Sequence, residues 1–179
     1  ERYRQEALVE EFINGRELPV GILGQEPLPI MEIDFTPCHS SGEFFYTWRM
    51  KEFHGDALRG LNPMLYCPAR LSPELTARVH EVVLRAHRAL GCLDLSRTDI
   101  RLRDDGTPFV LEINPLPGLS PCDSNFPIMT AAAGIAHESL IQRIVELAMV
   151  RYGRHQAVMK SQAGAQEPSG RVPAHPAVP

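Results

Sequence analysis

Little in this chain lends itself to cross-linking or to sulfur-based metal binding. Its 179 residues hold only four cysteines, Cys38, Cys67, Cys92 and Cys122, with no C-x-x-C spacing and no adjacent histidine pair. That pattern argues against a disulfide scaffold and a structural zinc site, and it fits a reducing cytoplasm. A basic excess is missing too. Eighteen Lys and Arg against 22 Asp and Glu leave a net charge of −4, no electrostatic footprint for nucleic acid or for an anionic membrane. No apolar run approaches the ~20 residues of a membrane helix. The opening ERYRQEALVEEF lacks a signal-peptide pattern. An initiator Met is absent as well, so the start reads as a cut through a larger protein. What is present is ordinary for a globular domain: 44% hydrophobic and 22% charged residues, enough to bury about two thirds of the unfolded surface.

Local signals predict an α+β domain, an antiparallel sheet with helices packed on one face, over residues 1–153, and a disordered polar tail over 154–179. Asn14-Gly15 between Leu8–Ile13 and Leu18–Leu23 predicts a hairpin. Leu28–Phe35 and Phe44–Lys51 read as two more strands around the turn residues His39-Ser40-Ser41-Gly42. Ser72-Pro73 predicts a helix start, a hydroxyl cap followed by proline at the first helical position. Leu75, Val79, Val82, Ala86 and Leu90 supply its apolar face, and Gly91 suits its end. Ile128–Ala133 and Glu138–Tyr152 read as two further helices, each closed by a glycine.

The segment Arg97–Asn114 carries most information. Asp105-Gly106 predicts a type I′ turn, which would set Leu102 opposite Phe109 and Ile100 opposite Leu111 as a core face. On the other face the same register sets Asp99 opposite Glu112 and Arg97 opposite Asn114. Opposed carboxylates repel across ~5 Å, so a cation should lie nearby. Two readings stand at this point. Arg97 and Arg101 on the same face could neutralise the pair. Alternatively Asp99, Glu112 and the amide oxygen of Asn114 could grip a divalent ion, all three being hard donors. Pro115-Leu-Pro-Gly118 ends the strand directly afterwards, a common setting for a site. His54, His80, His87 and His137 form no catalytic constellation with a serine or cysteine and read as surface or core histidines.

Arg97-Thr-Asp99, with Glu112-Ile-Asn114-Pro-Leu-Pro-Gly118 thirteen residues on, resembles the C-terminal signature of ATP-grasp ligases, the D-alanine–D-alanine ligase family above all. Leu8-Val-Glu10-Glu11-Phe12-Ile13-Asn-Gly-Arg-Glu17 resembles that family's hinge, and Tyr46-Thr-Trp-Arg-Met-Lys51 and Tyr66-Cys-Pro-Ala69 follow in the family's order. The resemblance runs from about residue 7 to residue 152. The loop after Asn114 departs from the family's Asn-Thr-x-Pro-Gly, and no G-x-x-x-x-G-K-[ST] is present.

The resemblance implies ATP-dependent carboxylate–amine ligation through an acyl phosphate, in cell-wall precursor synthesis. It implies Asp99, Glu112 and Asn114 as ligands of magnesium, with two ions bridged by Glu112 and manganese as a substitute. Arg97 would steady the transferred phosphoryl group, and Lys51 would lie near the phosphates. Glu10, Glu11, Phe12 and Ile13 would meet the adenine, Glu17 the ribose, and Gly118 and Ser124 the acceptor or acyl phosphate. The implied partners are ATP, amino acids and the family's upstream lobes, with a homodimer allowed and neither nucleic acid nor membrane expected. This stretch alone would be inactive. The alternatives are a dipeptide or amino-acid ligase of another biosynthetic pathway, and a non-catalytic nucleotide-binding fragment.

Overall fold

The computed structural model describes residues 4–52 and 61–164, with side chains described to residue 50 and over 61–153. Its centre is β1 (Arg16–Leu23), whose last six residues are all buried. On one edge β1 pairs with β5 (Leu95–Leu102), and β5 pairs with β6 (Pro108–Asn114). On its other edge β1 pairs with β3 (Glu32–Asp34) and with the short β2 (Glu26–Pro27), and β3 pairs with β4 (Met64–Tyr66). All these pairings are antiparallel.

Strand alternation divides the sheet into two faces. Leu18, Val20, Ile22, Ile100 and Leu102 point to one, where they pack against Val79 and Val83 of α2 (Pro73–Ala89). The intervening residues point to the other. There an added Cβ on Gly21 would meet Phe126 of α3 (Asn125–Ala132) at 3.0 Å. The α+β antiparallel architecture is as expected, with the addition that α3 covers the face that α2 leaves. Glu17, Pro19, Arg97, Asp99 and Arg101 share that second face through the register Glu17↔Arg101, Pro19↔Asp99 and Gly21↔Arg97.

Beneath the sheet edge the carboxylate of Glu32, 5% exposed, joins β3 to two arginines. Arg16 donates to it at 3.0 and 2.6 Å. Arg70 donates from its side chain at 3.1 and 2.9 Å and from its backbone N–H at 3.1 Å. Burial works against ionisation, yet the hydrogen bonds from Arg70 and Arg16 outweigh it and hold the Glu32 carboxyl down to about 2.

Several local expectations need correction. Residues 8–13 form no strand and Asn14-Gly15 no hairpin, because β5 on one edge and β2 and β3 on the other already use the backbone of β1. Gly15, at φ +145°, instead passes against β5, where a Cβ would lie 2.1 Å from the Leu102 carbonyl oxygen. Phe44–Lys51 is not a strand either. Thr47 Oγ1 accepts from the Met50 N–H at 3.4 Å, the geometry of an N-cap, and α1 (Trp48–Glu52) follows, with Met50 buried. Leu28–Phe35 contributes only the three residues of β3. A 3₁₀ turn over Thr36–Ser41 occupies the expected turn region.

The helix opened by Ser72 forms as expected: its hydroxyl accepts from the Leu75 N–H at 3.3 Å. Its buried stripe is Val79, Val83 and His87, however, and Leu90 is exposed. The helix expected over 138–152 is α4 (His137–Gly164), which continues through Gly153. A single glycine weakens a helix by about 1 kcal/mol without stopping one in helix-forming surroundings.

The β5–β6 hairpin holds a compensated error. Arg103 donates its N–H to the Thr107 carbonyl at 3.0 Å, and the Gly106 N–H donates to the Arg103 carbonyl at 2.9 Å. The loop is therefore the three residues 104–106, with Gly106 left-handed at φ 79°, rather than a two-residue type I′ turn. Leu102 consequently faces Pro108 and Ile100 faces Val110. A bulge at Leu111 then shifts the ladder by one, so that Asp99 faces Glu112 and Arg97 faces Asn114 after all.

Candidate functional site

The second sheet face opens into a cleft of about 540 Å³. Of the residues singled out from sequence, Glu11, Phe12, Ile13, Glu17, Arg97, Asp99, Glu112, Gly118 and Ser124 line it. Glu10 is exposed and Asn114 half-buried, both outside the lining. Lys51 lies in α1, and its side chain is outside the described residues.

The charged floor comes from β5 and β6. The Arg97 guanidinium donates from Nε to Asp99 Oδ1 at 2.9 Å and from Nη2 to Asp99 Oδ2 at 2.8 Å. The same Nη2 lies 3.6 Å from Glu112 Oε1. One planar cation thus stands between the two opposed carboxylates and offsets their repulsion. Arg101 takes no part in this neutralisation and turns toward β1 instead, where it pairs with Glu17. Asn114 accepts the Leu116 N–H on its Oδ1 at 3.0 Å, which fixes the amide while leaving the oxygen a second lone pair.

Among the described residues no three His, Cys, Asp or Glu side chains cluster as a self-sufficient metal site. The donor set Asp99, Glu112 and Asn114 fits a different arrangement. Magnesium usually keeps several waters and is held by one or two carboxylates together with substrate phosphates. Two carboxylates and an amide oxygen, with no nitrogen or sulfur donor, suit that requirement.

Glu17 sits across the ladder from Arg101. Burial pushes its carboxyl up, against the Arg101 cation and a hydrogen bond from the Tyr46 backbone N–H, while the Asp99 carboxylate pushes it up further. Above it the arm before β1 crosses the cleft: Phe12 meets the Phe45 ring at 5.8 Å between centroids, and Glu11 pairs with Arg103 at 3.0 Å. At the far end Gly118 approaches Ser124 so closely that a Cβ would lie 2.6 Å from its Oγ. Ser124 and Asn125 present the N-terminus of α3 to the cleft, a position favourable to anions. His137 secures this loop by donating to the Leu119 carbonyl at 2.8 Å.

Among the contributors that sequence reasoning missed are Arg101, Phe45 and Leu111. Arg101 shows the same two-residue spacing as Arg97 and Asp99, but its partner was misassigned. Phe45 belongs to a stretch misread as a strand, and Leu111 reaches the cleft only because of the bulge. Among the described histidines, His80, His87 and His137 hold structural hydrogen bonds. His80 donates to the Leu28 carbonyl at 3.1 Å. His87 is fully buried against Ser96 Oγ at 2.7 Å, and burial pulls its pKa down. His54 lies outside the described residues.

A cleft between the arm before β1 and a sheet face carrying an arginine between two carboxylates is the arrangement expected of an ATP-grasp C-terminal lobe. Solved structures of that class superpose on it: D-alanine–D-alanine ligase from Bacillus anthracis complexed with ATP aligns with a TM-score of 0.63 at 27% identity, over 82% of this chain and 42% of that one. The family model for the D-ala D-ala ligase C-terminus matches residues 1–146, and the chain belongs to that family. The D-alanine–D-alanine ligase of Nitratidesulfovibrio vulgaris (strain DP4) is 42% identical over 149 residues, 83% of this chain and 45% of the relative. That of Methylacidiphilum infernorum is 36% identical over 154 residues, 86% of this chain and 46% of the relative. The chain spans a little under half the length of these relatives.

Proposed function

We propose that the protein carrying this lobe is an ATP- and magnesium-dependent ligase that joins a carboxylate to an amine, with D-alanine as both donor and acceptor. The single observation that carries the reading is Arg97 poised between Asp99 and Glu112 on the floor of the cleft. Activation of a carboxylate by ATP brings negative charge onto negative charge, and catalysis consists largely of positioning and charge offset. Arg97 meets the phosphoryl group with a permanent, planar cation. Asp99, Glu112 and Asn114 would hold magnesium, two ions by the family resemblance, and the metal would supply neutralisation of the phosphates.

The remaining groups bind and orient. Glu10 to Ile13 line the adenine end, Glu17 accepts from the ribose, and Lys51 serves the phosphates. The Gly118–Ser124 loop and the N-terminus of α3 hold the acyl phosphate while the amine attacks its carbonyl carbon and phosphate departs with the P–O bond intact. No covalent enzyme intermediate is required. Upstream lobes of the same protein close the other side of the cleft. The free thiols and the need for ATP suit the cytoplasm, and the family context suits a homodimer.

The test is phosphate release by the full-length protein. Release should require ATP, magnesium and D-alanine together and should accompany dipeptide formation. Release that ignores every amino acid supplied would refute ligation, while release with other amino acids only would favour a dipeptide ligase of another pathway.

A further inference from the structure

We propose that Arg101 is a positioning residue for the nucleotide, aiming the Glu17 carboxylate at the ribose and tying the arm before β1 to the sheet. This rests on the reading of the cleft as a nucleotide site. The Arg101 side chain is only 5% exposed and lies on the cleft face. Its Nη1 donates to Glu17 Oε2 at 3.2 Å, and its Nε donates to the Ile13 carbonyl at 3.0 Å. Its guanidinium carbon lies 5.4 Å from the centre of the Phe12 ring. One side chain therefore contacts both segments that would meet base and sugar.

The arm has little else to hold it. Among the described residues no backbone–backbone hydrogen bond joins residues 4–14 to the sheet. Besides the burial of the Ile13 side chain and the contact of Phe12 with Arg101, the ties include the Ile13 carbonyl, the exposed Arg103–Glu11 pair and the Phe12–Phe45 contact, and the hydrogen bond to Ile13 is buried. Glu17, for its part, is a partly buried carboxylate, its side chain 13% exposed, with a second carboxylate, Asp99, within electrostatic reach. An ionised carboxylate is purely an acceptor, the state that matches the two hydroxyl donors of a ribose diol. Arg101 is a cation that favours that state, and its rigid fork fixes the carboxylate's direction. A lysine could pair with Glu17 but could not span Glu17 and Ile13 with two fixed donors.

The experiment titrates the full-length protein with magnesium-ATP and with magnesium-2′-deoxy-ATP and reads the ratio of the two dissociation constants. The unmodified protein should prefer ATP by about tenfold or more, the usual weight of a hydrogen bond to a charged acceptor. R101M should reduce that ratio to within about twofold, and R101K should recover part of it. E17Q should reduce the ratio as well, and adding R101M to E17Q should reduce it no further, because the two residues act in one chain. The R101M/E17Q protein leaves no buried charge unpaired and supplies the comparison if R101M alone does not fold. Equal weakening of both nucleotides by R101M, with the ratio kept, would mean that Arg101 only packs the core, and the proposal falls while the nucleotide reading stands. No ATP preference in the unmodified protein would remove Glu17 from the ribose, and both fall together.

Discussion

Glu32→Gln isolates the electrostatics of the buried triad. Glu32 ionises at about 2 in the folded chain against 4.5 for an ordinary glutamate. At about 1.36 kcal/mol for each pH unit, that gap corresponds to about 3 kcal/mol. The figure is an upper bound, because Arg16 and Arg70 are 34% and 52% exposed and water screens them. The sign follows from a depressed folded value. The stabilisation is fully present above pH 4.5 and is lost as the pH falls from there through about 2. Urea unfolding of full-length protein and variant should therefore differ by up to about 3 kcal/mol at pH 7. The difference should shrink below pH 4.5 and close near pH 2, while the other carboxylates cancel in the comparison. A difference that stays constant down to pH 3, or grows in acid, would refute the assignment of the depressed group to Glu32.

Two further substitutions separate structure from chemistry. Glu112→Gln removes a charge whose side chain is 65% exposed and already offset by Arg97; stability should change by no more than about 1 kcal/mol, while phosphate release falls at least about a hundredfold. A variant that melts several degrees lower yet keeps its rate would make Glu112 structural. Gly15→Ala places a Cβ 2.1 Å from the Leu102 carbonyl oxygen at φ +145°, so thermal unfolding should report a loss of about 2 kcal/mol or more, and a loss under about 0.5 kcal/mol would refute the close approach.

The placement of the charged residues was legible wherever it depended on strand alternation alone. Arg97, Asp99 and Glu112 share a face because they lie on paired strands, and period-two spacing reveals that directly. Elements that depend on which partners are already taken were not legible. Asn14-Gly15 has the composition of a hairpin turn, but local sequence does not reveal that both edges of β1 are occupied. Phe44, Phe45 and Tyr46 favour a strand by propensity, yet burial of Met50 draws the following residues into α1. The partner of Arg101 was hidden for a related reason. It lies on β1 and in the preceding arm, more than 80 residues away, and only the β1–β5 pairing brings them together. The Asp99–Glu112 pairing itself was read correctly through two errors of opposite sense, a turn one residue longer than expected and an unforeseen bulge.

That bulge has a consequence for how the hairpin can vary. Leu111 works as a phase corrector between two stretches of regular ladder, one beside the turn and one beneath the cleft. Pairing Leu111 with Asp99 in an unbroken ladder would set Glu112 opposite Thr98 and rotate Glu112 and Asn114 to the α2 face. Beyond the corrector, the tip at residues 104–106 lies outside the cleft lining; Gly106 is buried against Leu75 of α2 at φ 79°, while Asp104 and Asp105 are exposed and can change without disturbing the cleft. The hairpin is thus divided into a variable handle and an indexed working end, and the boundary between them is one leucine.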